Sequence, residues 1–333
     1  MDFQPSNSSS VSIEYIPLQV SSDTGSTNCS ALGYDAPYQF VLIPIIYMVI
    51  FVMGIIGNTV IIVGLTCYVQ AKSVANIYIV NLAIADLSFV ATLPLWAIDL
   101  SGRYKWTFGS SMCKLCATLS SVNMYASIFL LTCLSADRYY SIVRPIEALG
   151  RRTLTKAKMI TLFVWVSSFA VSTPTIFLRQ TYYSNYSHHT VCSMKYPPDS
   201  IFWPFFLYSV KYIVGFLIPF IIQGICYFFI YKKILASANN KQRKTKSDKI
   251  LKVVLAMVLA FFVCWLPFHI VNFLKLLARF RLIPSCMAIH NLNIIIPFTL
   301  CIAYSNSCIN PILYYFASKR FRNQLTKSFK RSR

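Results

Sequence analysis

The chain has 333 residues, of which 56% are hydrophobic and only 12% are charged, and its mean hydropathy is +0.57. A soluble protein of this size would lack enough polar side chains to cover its surface, so the composition excludes an ordinary soluble globular domain. Because about 20 apolar residues cross one bilayer, this length has room for about seven membrane spans.

Seven segments that are nearly free of charge are each long enough to cross a membrane. They are residues 40–68, 77–98, 115–137, 159–178, 202–231, 253–277 and 288–316. After the last of them, Phe321, Leu325 and Phe329 recur at helical spacing among basic residues. The predicted fold class is therefore an all-α membrane protein, a seven-transmembrane helix bundle with a short amphipathic eighth helix.

The net charge of +21 is unevenly distributed along the chain. Of the 31 Lys and Arg residues, 22 lie at Lys72, at Arg138 and in the segments 144–158, 232–252 and 319–333. The positive-inside rule makes these loops and the C-terminus cytoplasmic. The charge excess thus indicates membrane topology and contact with membrane lipids, and no nucleic acid is expected as a partner. The protein is predicted to be a multi-pass plasma-membrane protein with an extracellular N-terminus.

Three sequons agree with this orientation, because all of them fall in segments assigned to the exterior. Their acceptor residues are Asn7, Asn28 and Asn185. Residues 1–35, rich in Ser, Thr and Asn, are predicted to form a glycosylated extracellular tail. The seven-helix domain is predicted at residues 36–317, and the eighth helix with a short cytoplasmic tail at residues 318–333.

Four of the eleven cysteines lie outside the membrane or at its outer edge, where disulfides can form. They are Cys29, Cys113, Cys192 and Cys286. Four cysteines allow three pairings. The other seven lie within spans and are expected to be small apolar packing residues.

The sequence contains no motif of a known catalytic chemistry, since HExxH, GxSxG and a Gly-rich phosphate loop are all missing from it. The last span has no lysine that could form a Schiff base with retinal, which excludes a retinal pigment. No pattern of metal-ligand spacing is present either. The chain is therefore predicted not to be an enzyme and to carry no cofactor or metal.

Polar side chains in the middle of the spans need partners, because an isolated charge in a bilayer is costly. The polar residues at these depths are Asn58, Asp86, Asn123, Ser127, Asn306 and Asn310. Asn123 and Ser127 are four residues apart and so share one helix face, as do Asn306 and Asn310. A single cluster about Asp86 would satisfy them all, either as a hydrogen-bonded network that joins helices or as an ion or water site.

Three motifs follow one another on spans three, six and seven: Asp137-Arg138-Tyr139, Cys264-Trp265-Leu266-Pro267 and Asn310-Pro311-Ile312-Leu313-Tyr314. Together they closely resemble the class A G protein-coupled receptors, over about residues 34–329. Within that class the chain looks most like the angiotensin II receptors, the type 2 receptor above all. The stretches that carry this likeness are 92–96, 125–135, 215–219, 264–269 and 306–311.

The resemblance implies a receptor for an extracellular, angiotensin-like peptide that activates a heterotrimeric G protein. Parts of it are shared with bradykinin, apelin and chemokine receptors, so another peptide ligand or a non-signalling scavenger receptor remains an alternative. A small transporter is disfavoured, because the chain shows no internal repeat.

The resemblance also implies where the ligand binds. The residues concerned are Tyr47, Trp96, Arg179, Lys211, Trp265, His269, Lys275 and Asn293. Arg179 can offer a planar fork to a carboxylate, and Lys211 lies in an apolar run where it needs an anionic partner. These two cations suggest that the free C-terminal carboxylate of a peptide enters the pocket.

For activation, the family pattern assigns Trp265 as a rotameric switch below the ligand. A packing triad couples it to helix movement and consists of Ile128, Pro219 and Phe261. Arg138, between Asp137 and Tyr139, would then meet the G protein. Tyr227 and Tyr314 would fill the space that opens between the helices.

Within this framework we predict two disulfides, Cys113 with Cys192 and Cys29 with Cys286. Lys275 and Asn293 stand where angiotensin receptors carry acids for the basic part of the peptide. They are therefore expected to weaken the binding of angiotensin II, whose second residue is arginine. The expected ligand is a peptide with a free carboxylate and fewer basic residues at its other end, or an angiotensin-like peptide that binds less tightly. Asn123 stands where many family members have serine beside a sodium ion, so sodium is expected to have little effect.

Overall fold

A computed structural model of the chain describes residues 37–68, 73–185, 187–197, 202–236, 244–279, 282–283, 285–317 and 322–323. Seven helices within these residues are long and apolar enough to cross a membrane, which confirms the predicted seven-transmembrane helix bundle. These spans are Gln39–Cys67, Val74–Ser101, Gly109–Val143, Leu154–Leu178, Phe202–Ala236, Val254–Ala278 and His290–Phe316. The predicted N-terminal tail lies outside the described residues, as does nearly all of the predicted eighth helix.

The helices, in chain order, are α1 (Gln39–Val63), α2 (Val74–Val90), α3 (Leu93–Ser101), α4 (Gly109–Val143), α5 (Pro145–Arg151), α6 (Leu154–Leu178), α7 (Phe202–Tyr212), α8 (Ile218–Ala236), α9 (Lys244–Arg279) and α10 (Cys286–Ala317). One π-helical turn, Gly64–Tyr68, follows α1, and another, Ile213–Leu217, joins α7 to α8. The second span is divided into α2 and α3 beside Pro94, which has no amide hydrogen to continue the helical bonding pattern.

Several helices extend beyond the uncharged segments from which they were predicted. Helix α4, for example, covers Gly109–Val143, whereas the uncharged segment covers only 115–137. A helix satisfies its backbone hydrogen bonds internally, so it can continue past the apolar stretch into polar sequence. Composition therefore predicts the part of a helix that fits a bilayer and not the point at which the helix ends.

A two-stranded antiparallel hairpin connects α6 to α7 and consists of β1 (Arg179–Ser184) and β2 (His189–Met194). Cys192 on β2 forms a disulfide with Cys113 in the first turns of α4. This confirms the predicted pairing of these two cysteines. Cys29 and the side chain of Cys286 lie outside the described residues. We refer to the end of the bundle that carries this hairpin as the hairpin end, and to the other as the Arg138 end.

The third span forms the centre of the bundle, because α4 contacts α2, α6, α8 and α9. Large apolar side chains on α1, α6 and α8 are exposed at the surface of the chain, Phe163 and Phe220 among them. Polar groups such as Asp86 are buried inside instead. This distribution suits a protein whose outer surface faces lipid.

Candidate functional site

The polar core is built around Asp86, which is fully buried on α2. Asn123 Nδ2 of α4 donates a hydrogen bond to Asp86 Oδ1 at 2.9 Å, and Asn310 Nδ2 of α10 donates one to Asp86 Oδ2 at 2.9 Å. Asn123 Nδ2 also lies 3.4 Å from Ser127 Oγ. The structure thus brings together four of the predicted core residues, and one carboxylate joins three helices.

The other polar residues of the spans contribute differently. Asn306 is buried, but its Oδ1 has no hydrogen-bond partner within the described part of the chain. Asn58 Nδ2 donates to the backbone oxygens of Gly54 and Ser307, each at 2.9 Å, and so ties α1 to α10. The sequence did not reveal the part played by Ser307, because its backbone oxygen accepts this bond and no side-chain pattern marks it.

The amide contacts of Asp86 lead to a prediction about sodium. Both carboxylate oxygens face amide donors, whose hydrogens occupy positions from which a cation would coordinate. Affinity for a peptide agonist is therefore expected to change by less than about twofold when sodium replaces potassium or choline in a binding assay. Asn123→Ser removes one donor and is expected to introduce dependence on sodium. A steep fall of the native affinity in sodium alone would contradict the prediction.

A cavity of about 610 Å³ lies between the hairpin and Trp265. This is within the range of about 300–1,000 Å³ that is common for ligand pockets. Five of the eight residues predicted for ligand binding line it: Tyr47, Trp96, Arg179, Lys211 and Trp265. The structure thus brings these five residues together around one cavity, and their contact with a ligand stays a prediction.

Arg179 is held in this cavity by the connection between α6 and β1. It is the first residue of the strand, and only 4% of it is exposed. Its guanidinium carbon lies 5.3 Å from the centre of the Trp96 ring, and its Nε lies 3.5 Å from Cys192 Sγ. A guanidinium over an aromatic ring is attracted to the face of that ring, which helps to hold it in place. Arg179 and Lys211 are two cations of the cavity that can hold an anionic group, and Arg103 also lines it.

The floor of the cavity is aromatic and continues into the core. Trp265 stacks on Phe261, with the ring centres 5.8 Å apart. Phe261 and Ile128 are fully buried in the same hydrophobic cluster, and Pro219 is buried on α8. A ligand that moved Trp265 would therefore act directly on tightly packed side chains.

Three residues predicted for ligand binding are not among those that line the cavity in the described part of the chain. His269 is packed beside Trp265 and Tyr212, and its backbone oxygen accepts a hydrogen bond from Tyr212 Oη at 2.9 Å. Lys275 is buried, three residues beyond the lining residue Asn272 on α9. Asn293 stands one helical turn before the lining residue Ile296 on α10.

The spacing along the helices explains this difference. A residue three positions from a lining residue lies on a similar helix face but about 4.5 Å further along the axis. Lys275 and Asn293 are thus displaced by about one turn toward the hairpin end. That they select the ligand stays a prediction, as does a ligand contact for His269.

At the Arg138 end, one acid contacts two arginines. Asp137 forms a salt bridge with Arg138, its neighbour in the chain. Arg152, which follows α5, places its Nε 2.7 Å from Asp137 Oδ1 and its Nη2 3.1 Å from Asp137 Oδ2. The sequence did not predict the role of Arg152, because it is one of several basic residues in a basic loop.

The tyrosines predicted to act in signalling pack against other side chains of the bundle. Tyr139 packs edge-on against Phe229, with ring centres 6.1 Å apart. Tyr227 and Tyr314 are partly buried against the hydrophobic core. These positions are compatible with the predicted opening of the helices at the Arg138 end. The roles of the three tyrosines stay predictions.

Comparison with known families decides the class of the protein. The family model described as 7 transmembrane receptor (rhodopsin family) matches residues 57–314, which is most of the chain. The chain belongs to this family. The predicted class A receptor is thereby confirmed, and with it the seven-span membrane protein. The family consists of signalling receptors and not of enzymes.

Individual relatives narrow the comparison further. The type-1 angiotensin II receptor A of Xenopus laevis is 41% identical over 303 residues, which cover 91% of this chain and 83% of the relative. The type-1 angiotensin II receptors of Canis lupus familiaris and Homo sapiens are each 39% identical over 293 residues, which cover 88% of this chain and 82% of each relative. The predicted likeness of this rhodopsin-family receptor to angiotensin receptors is confirmed, and the finer likeness to the type 2 receptor stays a prediction.

The predicted glycosylation sites are only partly within the described residues. Asn185 is exposed in the turn between β1 and β2. Asn7 and Asn28 lie outside the described residues. Modification at all three stays a prediction.

Proposed function

We propose that this receptor binds an extracellular, angiotensin-like peptide in the cavity beneath the hairpin and then activates a heterotrimeric G protein. The observation that carries the proposal is the buried guanidinium of Arg179, which lies over the Trp96 ring in the same cavity as Lys211. A planar guanidinium binds a carboxylate through two parallel hydrogen bonds. The free C-terminal carboxylate of a peptide is a suitable partner for these two cations.

The proposed function requires the hairpin end to face the outside of the cell. The N-terminal tail of residues 1–35 would then be extracellular, and residues 318–333 would be cytoplasmic. The distribution of basic residues supports this orientation, as does the exposed sequon at Asn185 in the hairpin turn. The receptor would reside in the plasma membrane, in contact with anionic lipids at its cytoplasmic face.

Signalling follows from a difference in affinity between two states of the bundle. A ligand that binds the active arrangement more tightly shifts the population toward it by that difference alone. Trp265 links the cavity to the packed core, and the salt bridges of Asp137 hold Arg138 at the opposite end. Activation would break these salt bridges and release Arg138 to meet the G protein.

The proposal is tested by a screen of peptides with free C-termini in cells that express the native receptor, with guanine-nucleotide exchange as the readout. We expect exchange with angiotensin II or a related peptide, and loss of exchange with retained binding in Arg138→Ala. Arg144→Gln is the matched control, because this arginine lies nearby but is exposed. Binding without exchange would indicate a scavenger, and a response to no peptide at all would contradict the proposed function.

A further inference from the structure

The cavity contains an acidic residue, Asp99, near the end of α3. Only 6% of this residue is exposed, and its Oδ1 has no hydrogen-bond partner in the described part of the chain. A buried carboxylate oxygen normally has a partner, because an ionised group that leaves water without one is costly. Asp99 therefore presents an unsatisfied acceptor in the cavity that the ligand is proposed to enter.

The arginines of the cavity do not supply that partner. Arg179 is near enough to Asp99 for an electrostatic interaction, but its guanidinium lies over the Trp96 ring. The guanidinium carbon of Arg103 lies 5.6 Å from the centre of the Phe40 ring. Across the residues that the structure describes, neither arginine forms a salt bridge with Asp99.

We propose that Asp99 binds a cationic group of the ligand, a guanidinium or an ammonium, in the same cavity in which Arg179 and Lys211 hold its carboxylate. This inference rests on the proposed function and adds a second point of recognition to it. The cavity then selects a peptide by two opposite charges at separate positions. A ligand with a basic residue in addition to its free carboxylate satisfies both.

The proposed contact has a large expected effect because the acid is buried. When one partner of a buried, hydrogen-bonded charge pair is removed, the other is left without compensation. Replacing arginine in a bound peptide with citrulline, which has nearly the same shape but no charge, is therefore expected to lower its affinity for the native receptor by at least about tenfold.

The experiment selects random short peptides with free C-termini on the full-length native receptor and on Asp99→Asn. We expect Arg and Lys to be enriched at one peptide position on the native receptor and not on Asp99→Asn. Asp99→Glu keeps the charge and is expected to retain the enrichment. Glu147→Gln is the control for net charge, because it removes an exposed acid at the opposite end of the bundle.

The same selected peptide and its citrulline analogue then give a test that needs no variant. Equal affinities of the two for the native receptor would overturn the proposal, even if Asp99→Asn did not fold. Equal enrichment of basic residues on native and Asp99→Asn receptors would also overturn it, and would leave the proposed function intact. Selection of no peptide by the native receptor would overturn both.

Discussion

Replacing Asp137 with asparagine is expected to raise guanine-nucleotide exchange in the absence of agonist. The side chain of Asp137 is only 4% exposed and contacts both Arg138 and Arg152. Hydrogen bonds to charged groups contribute about 1.5–3 kcal/mol each, so the neutral variant should lose much of the restraint on Arg138. If the inactive state alone loses about 1–2 kcal/mol of stabilisation, the population of the active state rises about 5- to 30-fold. This holds as long as the active state remains the minority. The measurement is basal exchange on purified receptor with G protein.

Two further variants separate this restraint from general electrostatics. Arg152→Gln removes the contacts at 2.7 and 3.1 Å but leaves the Asp137–Arg138 pair, so a smaller increase in basal exchange is expected. Glu147→Gln breaks the neighbouring salt bridge with Arg144. The side chain of Glu147 is 42% exposed, and that of Arg144 is 53% exposed. Exposed pairs contribute little, so this control should leave basal exchange unchanged. Basal exchange in Asp137→Asn no higher than in Glu147→Gln would contradict the prediction.

Replacing Cys113 and Cys192 together with serine is expected to destabilise the receptor and to weaken peptide binding strongly. The disulfide ties β2 to α4 across 79 residues of chain. Without it the hairpin, which carries Arg179 at its first position, would lose its covalent attachment beside the cavity. Loss of a disulfide commonly costs about 2–4 kcal/mol, so we expect a clearly lower melting temperature and a loss of peptide affinity of at least about tenfold.

Cys116→Ser is the matched control for this variant. Cys116 is a buried free cysteine on the same helix, in the same small hydrophobic cluster as the disulfide. Cys116→Ser makes the same change from sulfur to oxygen without breaking a cross-link. Most of the peptide affinity should therefore be retained. A double variant that bound peptide as tightly as Cys116→Ser would show that the disulfide does not position the hairpin.

The polar core was predictable because its physical requirement is visible in the sequence. Asp86 cannot remain unpaired inside a bilayer, and Asn123 and Asn310 are amides at comparable depth in other spans. The structure joins them through two hydrogen bonds of 2.9 Å. The Cys113–Cys192 disulfide was also predicted, from the resemblance to the receptor family.

Other features depend on geometry that sequence does not contain. Arg152 is one basic residue among many in its loop, and only the path of the chain after α5 places it against Asp137. No sequence motif marks Asp99 as a ligand contact, and only the fold places it in the cavity. Lys275 and Asn293 each lie about one helical turn from a residue that lines the cavity. Whether they can contact a ligand depends on the depth of the cavity, which the sequence does not show.

The most direct test of the account is whether the cavity recognises a peptide carboxylate through Arg179. A peptide agonist from the screen and its C-terminal amide would be compared for affinity on the native receptor, on Arg179→Gln and on Lys195→Gln. The last variant is a control, because Lys195 is exposed just after β2.

We expect the native receptor and Lys195→Gln to prefer the carboxylate by at least about tenfold, and Arg179→Gln to lose most of that preference, because a buried charge pair that loses one partner is left uncompensated. Equal affinity of the native receptor for the acid and the amide would contradict the account.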